Sequence, residues 1–420
     1  MSATSTSEVL VLGGGVSGKA AAALASAIGL KPTLVADNAD LPAGDFVGAI
    51  VSPGIALQHP WLEECRERGI PLKSELQFGC EELRRLGIGM LAVTGSKGKS
   101  SVVKAVQDAI NLFRGENAAV ACGNYGKPVS EVALEHSVQW AVVEVSSFQL
   151  ETTDMPADTF EAAAVLNLQE DHLGRHGSIA VYHGLKRRLL TMAKAENRFD
   201  MSRFDGHAVL GSACMEDDDV LWANSYFDNE ILARNALAVT YLLRAAGLGD
   251  AAIRRSFAVF KPLPHRFQTV AVLNGVEYID DSKATSLAAL VAGVKMAAGA
   301  PSLLGKLKNL FGGPSVRLIA GGLSKGDDPK TALPILTKQV KKVYLIGRSA
   351  EQFAAAWKDS VACEICGTME KAVAAAKCEA EKGDKVLLSP GTASFDQFKS
   401  FGERGEVFAL LVQKEGQIKQ

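Results

Sequence analysis

The stretch "VTGSKGKS", residues 93–100, has the composition of a loop that holds phosphate. It follows an apolar run and precedes a helical pattern, as such loops do. Gly95 and Gly98 allow a tight path on which backbone amides converge on an anion. Lys99 can reach the β- and γ-phosphates of a nucleotide, and Ser100 can ligate Mg²⁺. A plain glycine turn does not explain Gly-Lys-Ser at a helix start, so we predict a nucleotide site.

The same loop departs from the general pattern G-x-x-x-x-G-K-[ST] in one respect. Val93 stands where that pattern requires its first glycine. A further lysine, Lys97, lies inside the loop, and the general pattern gives it no role. The loop is therefore a variant form of the phosphate loop.

On either side of this loop, strand-like apolar runs alternate with helical patterns, as in "EVLVLGG", "WAVVEVS" and "KVLLSPG". This alternation predicts an α/β fold with parallel sheets covered on both faces. A chain of 420 residues is too long for one ordinary core. We predict three domains: a Rossmann-like N-terminal domain over residues 1–89, a central phosphate-loop, mononucleotide-binding ATPase domain over 90–262, and a Rossmann-like C-terminal domain over 263–420.

Composition narrows the functional classes. The chain is 47% hydrophobic and 22% charged, and it lacks the roughly 18 consecutive apolar residues of a membrane span. No export signal is visible, so we expect a cytoplasmic protein without a membrane partner. A net charge of −2 without a basic block gives no support for nucleic acid as a partner. Seven scattered cysteines indicate a reducing compartment, and we expect the Cys363–Cys366 pair to be structural.

A second glycine-rich turn, "VLGGGVSGKA", follows the first strand. Gly13, Gly15 and Gly18 form G-x-G-x-x-G, and Asp37 follows the next apolar run. This is the pattern of a dinucleotide-binding turn, in which a helix N-terminus faces a diphosphate and an acid faces a ribose. Taken alone it allows an NAD-dependent oxidoreductase, another diphosphate ligand, or a tight turn with no ligand.

Acidic and imidazole side chains follow two later strands. Glu144 ends the run "WAVVE", and Asp171 and His172 come just after "AAAVLN". Ligands collect at the carboxyl ends of parallel strands, and a phosphate loop needs an acid there to hold magnesium. We predict that Glu144 and His172 ligate cations beside the loop.

Beyond these single motifs, the chain resembles the Mur ligases, the ATP-dependent amide-forming enzymes of peptidoglycan synthesis. Their own loop, T-G-[ST]-x-G-K-[ST], lacks the first glycine as this one does. Further similar segments occur in order along nearly the whole chain: "SPGIALQHP" (52–60), "CGNYGKP" (122–128), "EVSSFQLETT" (144–153), "EDHLGRHG" (170–177), "LPHRF" (263–267), "DDSKAT" (280–285), "GGLSKGDD" (321–328) and "LLSPGTASFDQFKSFGERG" (387–405). The last segment and "DSKAT" resemble the members that add D-glutamate to UDP-N-acetylmuramoyl-L-alanine.

The resemblance implies a site for ATP and two Mg²⁺ ions, with Lys186 as a carbamate that faces magnesium. Catalytic roles fall to Lys99, Lys186, His172 and Glu144. The implied magnesium ligands are Ser100, Glu144, His172 and the Lys186 carbamate. The implied ATP-binding residues are Gly95, Ser96, Lys97, Gly98, Lys99, Ser100, Ser101, Asn235, Arg266 and Asp281.

The resemblance also implies two substrate sites and an acyl-phosphate mechanism. Residues expected at the UDP-sugar substrate are Val16, Ser17, Asp37, Asn124, Ser146 and Ser147. Residues expected at the incoming D-glutamate are Lys283, Thr285, Lys325, Ser394, Phe395 and Phe401. Since these residues lie in different domains, catalysis should require domain closure. We also expect a monomer.

Several positions depart from the family pattern. Lys97 replaces a common asparagine, Ile231 and Leu232 replace a His-Asn pair, and Ala39 replaces an arginine. Ser286 and Ser324 replace an asparagine and an aspartate, and residues 301–315 form an insertion of unknown role. Two alternatives therefore stay open: a related ligase for another amino acid or a modified nucleotide, and a non-catalytic nucleotide-binding relative.

Overall fold

The computed structural model describes residues 7–36, 39–135, 137–169, 172–203, 230–298 and 315–414. Within these ranges the strands form three sheets, each flanked by helices. All strand pairs but one are parallel. The predicted α/β class is confirmed. In the described part of the chain, no helix combines the length and apolarity that crossing a bilayer requires.

The first sheet has the strand order β2-β1-β3-β4. Its central strand β1 is almost fully buried, because the four residues after Glu8 are apolar and lie between covered faces. Its strands are β1 (Glu8–Leu12), β2 (Lys31–Val35), β3 (Ala49–Val51) and β4 (Leu72–Ser74), and its helices are α1 (Val16–Ala27), α2 (Pro60–Glu67) and α3 (Glu75–Arg85).

The second sheet has the order β6-β7-β5-β8-β9, with the phosphate-loop strand in the centre. Its strands are β5 (Gly89–Thr94), β6 (Ala119–Gly123), β7 (Trp140–Glu144), β8 (Ala162–Val165) and β9 (Arg198–Asp200). Its helices are α4 (Lys99–Arg114), α5 (Val129–Val132), α6 (Ser147–Glu151), α7 (Leu173–His176), α8 (Ile179–Thr191), α9 (Glu230–Ala245) and α10 (Asp250–Val259). Sequence analysis placed a helix start at the Gly-Lys-Ser of residues 98–100, and α4 begins at Lys99.

The third sheet has the order β10-β11-β15-β12-β13-β14. Its strands are β10 (Gln268–Leu273), β11 (Val276–Asp280), β12 (Val316–Gly321), β13 (Val340–Ile346), β14 (Ala362–Gly367) and β15 (Lys385–Leu388). Its helices are α11 (Leu287–Ala298), α12 (Leu333–Gln339), α13 (Ala350–Trp357), α14 (Met369–Glu379) and α15 (Phe401–Lys414).

An antiparallel hairpin forms one edge of this third sheet, which sequence analysis did not predict. β10 and β11 are joined by Asn274 and Gly275, both with positive φ (52° and 76°). Asn-Gly is the strongest short-range signal for a two-residue hairpin turn. The dipeptide "NG" between two apolar runs therefore indicates the hairpin, which an expectation of parallel strands alone does not include.

The described chain divides into two compact units, one with the first and second sheets and one with the third. In the first unit a single hydrophobic cluster extends from β1 and α1 through α3 into the second sheet. Close packing supports this continuity, because a Cβ at Gly79 of α3 would lie 2.7 Å from the Ser130 amide of α5. The boundaries at residues 89 and 262 stay a prediction.

Candidate active site

The phosphate loop takes a path that only its glycines allow. Gly95 has φ 152°, and Gly98, at the N-cap of α4, lies in the left-handed region with φ 85°. A Cβ at Gly98 would also come within 2.7 Å of the Asn235 amide group. Asn235 is buried against the loop. The structure therefore brings together the phosphate loop and Asn235, both of which sequence analysis assigned to ATP binding.

Two lysines converge on one carbonyl oxygen of this loop. Lys99 Nζ donates to the Gly95 oxygen at 2.8 Å, and Lys186 Nζ donates to the same oxygen at 3.0 Å. Lys186 projects from α8, is almost completely buried, and lies with Nζ 4.7 Å from the centroid of the Tyr182 ring. The predicted phosphate-binding lysine and the predicted carbamate lysine are therefore neighbours beneath the loop.

A side-chain clamp that sequence analysis missed fixes the backbone of Lys97. Asn167 Oδ1 accepts from the Lys97 amide at 2.9 Å, and Asn167 Nδ2 donates to the Lys97 carbonyl at 2.9 Å. The Lys97 side chain itself is exposed. Asn167 follows β8 by two residues, so its place at the carboxyl end of a strand was the available signal.

Ser96 anchors the other side of the loop. Its hydroxyl accepts from the Gln169 amide at 2.9 Å and lies 3.1 Å from the Tyr182 hydroxyl. Ser100 and Ser101, at the start of α4, are both buried. The loop is thus hydrogen-bonded to the protein on both flanks.

Glu144 ends β7 next to the loop strand, where its backbone pairs with Val93. One carboxylate oxygen accepts from Asn124 Nδ2 at 2.7 Å, while the other, Oε2, is buried and has no hydrogen-bond partner among the described residues. A buried, unpaired carboxylate oxygen is costly unless a cation takes it. Glu144 therefore fits a magnesium ligand, and Asn124 orients it.

His172 lies at the N-cap of α7 in a left-handed conformation, with φ 54°. Its ring lies 5.0 Å from the Phe148 ring and 6.2 Å from the Tyr182 ring, centroid to centroid. Its sequence neighbour Asp171 lies outside the described residues. Within the described ranges, no three His, Cys, Asp or Glu side chains are arranged to hold a metal ion.

Ser146 and Ser147, predicted at the sugar substrate, have partners within the protein. Ser146 caps α6 through a capping box with Gln149. The Ser147 hydroxyl lies 3.0 Å from His176 Nε2, and His176 Nδ1 lies 3.2 Å from Glu151 Oε1. Burial lowers the pKa of His176, although Glu151 opposes the shift. This cluster was not anticipated, because its members are separated along the chain.

The glycine-rich turn of the first sheet leads into α1, as predicted. Gly13 has φ 107°, and a Cβ there would lie 2.8 Å from the Ser52 hydroxyl. In the described part of the chain no side chain caps α1, whose first residue Val16 is 73% exposed, and Ser17 is half-buried. The helix N-terminus is thus accessible to an anion. Asp37 lies outside the described residues.

In the second unit, the predicted glutamate-binding lysine Lys283 lies in a cationic cluster with Arg266 and Lys325. Although the residue is partly exposed, loss of solvent around its ammonium lowers the pKa of Lys283, and the charges of Arg266 and Lys325 lower it further. Lys283 Nζ also lies 3.8 Å from the centroid of the Phe401 ring. The clustered positive charges and the aromatic face suit a small anion.

Further predicted residues surround this cluster. Leu323 and Ala393 pair as an antiparallel bridge, which brings the loop of Lys325 beside Ser394. Ser394 is buried, whereas Phe395 is 71% exposed. Thr285 is half-buried, and its amide donates to the Lys283 carbonyl at 2.9 Å.

Asp281 is held by donors on both carboxylate oxygens. The Phe267 amide donates to Oδ1 at 3.2 Å, and the Ser389 hydroxyl donates to Oδ2 at 3.0 Å. Burial of the carboxyl nevertheless raises the pKa of Asp281 to about 7. The predicted ATP contact is therefore a carboxyl that titrates near neutral pH.

Two supporting groups in this region were not identified from the sequence. Arg404 is fully buried and donates to the Ser282 carbonyl at 2.8 Å and the Thr392 carbonyl at 3.2 Å; burial lowers its pKa to about 10. His265 Nδ1 lies 2.7 Å from Asp280 Oδ2. Both tie the "DDSKAT" segment to its neighbours, a role that no local pattern signals.

The remaining predictions concern two cysteines that the structure describes and residues that lie outside the described ranges. Cys363 and Cys366 are free thiols whose pKa values burial raises to about 11. This makes both thiols poor nucleophiles, as expected for a structural pair. The Ile231 side chain and almost all of the 301–315 insertion lie outside the described residues.

Comparison with known families gives two matches, which lie one after the other along the chain. Residues 93–207 match the Mur ligase middle domain, and residues 265–391 match the Mur ligase glutamate ligase domain. The matches contain the phosphate loop and the cationic cluster, respectively.

Individual relatives extend the similarity to most of the chain. A protein from Koribacter versatilis named "UDP-N-acetylmuramoylalanine--D-glutamate ligase" is 32% identical, covering 87% of this chain and 83% of its own. A protein of the same name from Pseudomonas savastanoi is 34% identical, covering 86% and 83%. Among solved structures, the MurF ligase of Thermotoga maritima in complex with ADP shares the fold, with 14% identity, a TM-score of 0.55 and coverage of 88% and 90%.

Fold, phosphate loop and relatives together define an ATP-dependent ligase of the phosphate-loop α/β class. The chain belongs to the Mur ligase family. The sequence resemblance to that family is thereby confirmed.

Proposed function

We propose that the protein joins D-glutamate to UDP-N-acetylmuramoyl-L-alanine with cleavage of ATP to ADP and phosphate, in peptidoglycan precursor synthesis. The names of its relatives at 32% and 34% identity support this activity. The structural observation that carries it is the unpaired Glu144 oxygen beside a preformed phosphate loop. This is the arrangement that a magnesium nucleotide requires.

In the proposed first step, the substrate carboxylate attacks the γ-phosphate of ATP, giving an acyl phosphate and ADP. Two anions approach each other only where positive charge and N–H dipoles reduce their repulsion. Lys99 and the backbone amides at the start of α4 would supply both. Asn235, buried against Gly98, would fix the nucleotide end of the loop.

Magnesium would be held by Glu144 and Ser100, and it would neutralise charge on the phosphates. A second ion would use His172 and Lys186 as a carbamate. As an amine, Lys186 donates to the Gly95 carbonyl and cannot ligate a cation. The second ion and the modification are therefore proposed together.

In the proposed second step, the amine of D-glutamate attacks the activated carbonyl and releases phosphate. Glutamate carries two carboxylates, and the cationic cluster of Arg266, Lys283 and Lys325 supplies matching charge. Ser394 and the exposed Phe395 would complete this site. Arg266 and Asp281 stay predicted ATP contacts.

The turn at Gly13, with Val16, Ser17 and Asp37, would bind the UDP group rather than NAD. Asn124, Ser146 and Ser147 would lie near the muramoyl end. We further propose that the protein is a cytoplasmic monomer. The predicted absence of nucleic-acid and membrane partners remains part of this proposal.

The decisive measurement is ADP release with UDP-N-acetylmuramoyl-L-alanine, ATP, Mg²⁺ and D-glutamate, with each component omitted in turn. We expect release only with the complete mixture, and formation of the UDP-dipeptide product by mass spectrometry. Turnover with another amino acid but not D-glutamate would favour a related ligase. ATP binding without substrate-dependent ADP release would show a non-catalytic relative, and NAD binding would restore the oxidoreductase hypothesis.

A further inference from the structure

Arg175 lies in the "EDHLGRHG" segment, where it was assigned no role, and it connects two parts of the first unit. It lies in α7, three residues after His172, and its guanidinium contacts three consecutive backbone carbonyls of the loop after β3. Nη2 donates to Ile55 at 2.9 Å and to Pro53 at 3.3 Å, and Nη1 lies 3.5 Å from the Gly54 oxygen. One side chain thus holds the whole turn of that loop.

The guanidinium is itself held in a fixed orientation. Its Nε and Nη2 pair with both carboxylate oxygens of Glu151, with distances of 3.1 and 2.6 Å. The ring of Phe148 stacks on it, with the guanidinium carbon 4.2 Å from the ring centroid. Glu151 is 5% exposed and also contacts His176, so the pair is enclosed rather than a surface ion pair.

At its other end, the Pro53–Ile55 loop reaches the glycine-rich turn that we propose for UDP. The Ser52 amide donates to the Leu12 carbonyl at 3.0 Å, and its hydroxyl lies 3.5 Å from the Gly13 carbonyl. A continuous set of contacts therefore runs from the turn at Gly13, through the loop, to Arg175 and the helix that begins after His172.

We propose that Arg175 is a positioning residue for the UDP-sugar substrate. Arg175 fixes the position of the Pro53–Ile55 loop, which lies beside the glycine-rich turn, relative to His172 and α6. The two ends of the substrate, its nucleotide and its reacting carboxylate, would then be held at a fixed separation. This inference rests on the proposed function, because it assumes a substrate that occupies both places. A small misplacement of reacting groups lowers rates strongly, which makes such positioning important.

The test compares Arg175→Lys and Glu151→Gln with a matched control, Arg84→Lys. Arg84 also forms an arginine–carboxylate pair between the first-sheet and second-sheet regions, with Asp158 at 3.1 Å, but that pair is exposed and has no proposed role in the site. Lysine keeps the charge at position 175 and removes the fork that contacts three carbonyls. Circular dichroism and thermal melting establish that each variant is folded.

For Arg175→Lys we expect the KM for UDP-N-acetylmuramoyl-L-alanine to rise about tenfold and kcat to fall, while the KM for ATP changes less than about twofold. Glu151→Gln should shift the same parameters in the same direction and less strongly. Arg84→Lys should leave all of them unchanged. Equal weakening of ATP and the UDP-sugar, or no change in a folded Arg175→Lys protein, would overturn the proposal.

Hydrogen exchange provides a readout that needs no turnover. The amides of Ser52 and Ile55 are hydrogen-bonded, so a peptide containing them should be protected in the parent protein. Arg175→Lys should increase exchange there about tenfold, with no change at the phosphate loop. If the parent protein releases no ADP, the proposed function fails, while the exchange result still decides whether Arg175 fixes this loop.

Discussion

The phosphate loop and the cationic cluster both suit anions, yet they are built in opposite ways. The loop uses backbone amides on a path fixed by Gly95 and Gly98, and Asn167 clamps it from the side. The cluster relies on side chains, of which Lys283 and Lys325 are exposed. The path of the first site is fixed by contacts within the protein, whereas the second is a group of like charges whose mutual repulsion an anionic ligand would offset. Nucleotide binding should therefore tolerate little change, and amino-acid preference should be easier to alter.

The largest effect that distinguishes the two regions should come from Lys99→Ala. Loss of this ammonium removes charge stabilisation at the transferring phosphate, and we expect kcat to fall at least about a hundredfold. Lys99 Nζ donates to the Gly95 carbonyl of the loop, and we expect the melting temperature to stay near that of the parent protein. ADP release and thermal melting measure the two quantities, and retained turnover would refute the loop assignment.

In the cationic cluster, Lys283→Ala should raise the KM for D-glutamate about tenfold and leave the KM for ATP nearly unchanged. The reason is that Lys283 would supply positive charge for a carboxylate. The contact described for its side chain is with the Phe401 ring. Steady-state kinetics with each substrate varied separately measures the split. Lys330→Ala, an exposed lysine of the same unit, is the control. A matching rise in the KM for ATP would assign Lys283 to the nucleotide instead.

A pH effect of intermediate size should appear at Asp281, whose pKa burial raises from 3.8 to about 7. Because the folded protein binds this proton more tightly than the unfolded chain, the residue's contribution is complete at low pH and is lost as pH rises through about 7. Asp281→Asn is neutral throughout and keeps an acceptor for the Phe267 amide. The melting temperature of the variant relative to the parent should therefore increase from pH 5 to pH 8, and a constant difference would contradict the shifted pKa.

The smallest effect should come from Lys97→Asn, which removes a charge from the loop without touching its clamp. The Asn167 bonds go to the Lys97 backbone and survive the substitution. An exposed ammonium attracts phosphate weakly and is screened by salt, so the KM for ATP should rise about two- to threefold at low ionic strength. Titration with salt should abolish the difference. An effect that persists at high salt would indicate a direct phosphate contact.

Sequence analysis identified those parts of the site whose chemistry lies in consecutive residues. Gly95 to Ser100 could be predicted because glycine geometry, lysine reach and a helix start follow one another in the chain. Glu144 could be predicted because a strand end has a known relation to such a loop. The resemblance to a family added Lys186, which no local rule would have found.

The missing parts are those that tertiary contacts create. The Asn167 clamp joins residues 70 positions apart, and the Arg175 contacts join residues about 120 apart. Their partners are backbone carbonyls and amides, which carry no side-chain signature for sequence analysis to find. The β10–β11 hairpin is different, because the dipeptide "NG" indicates a hairpin turn. Sequence analysis missed it because it expected a wholly parallel sheet.

The Gly95 carbonyl, shared by Lys99 and Lys186, has a consequence for how the nucleotide enters. The Lys99 ammonium donates to this carbonyl, so phosphate binding at Lys99 would exchange one acceptor for another. A phosphate of high charge density would replace a carbonyl more readily than a weakly charged anion would. We therefore expect charge density to matter at this end of the loop independently of the base and ribose.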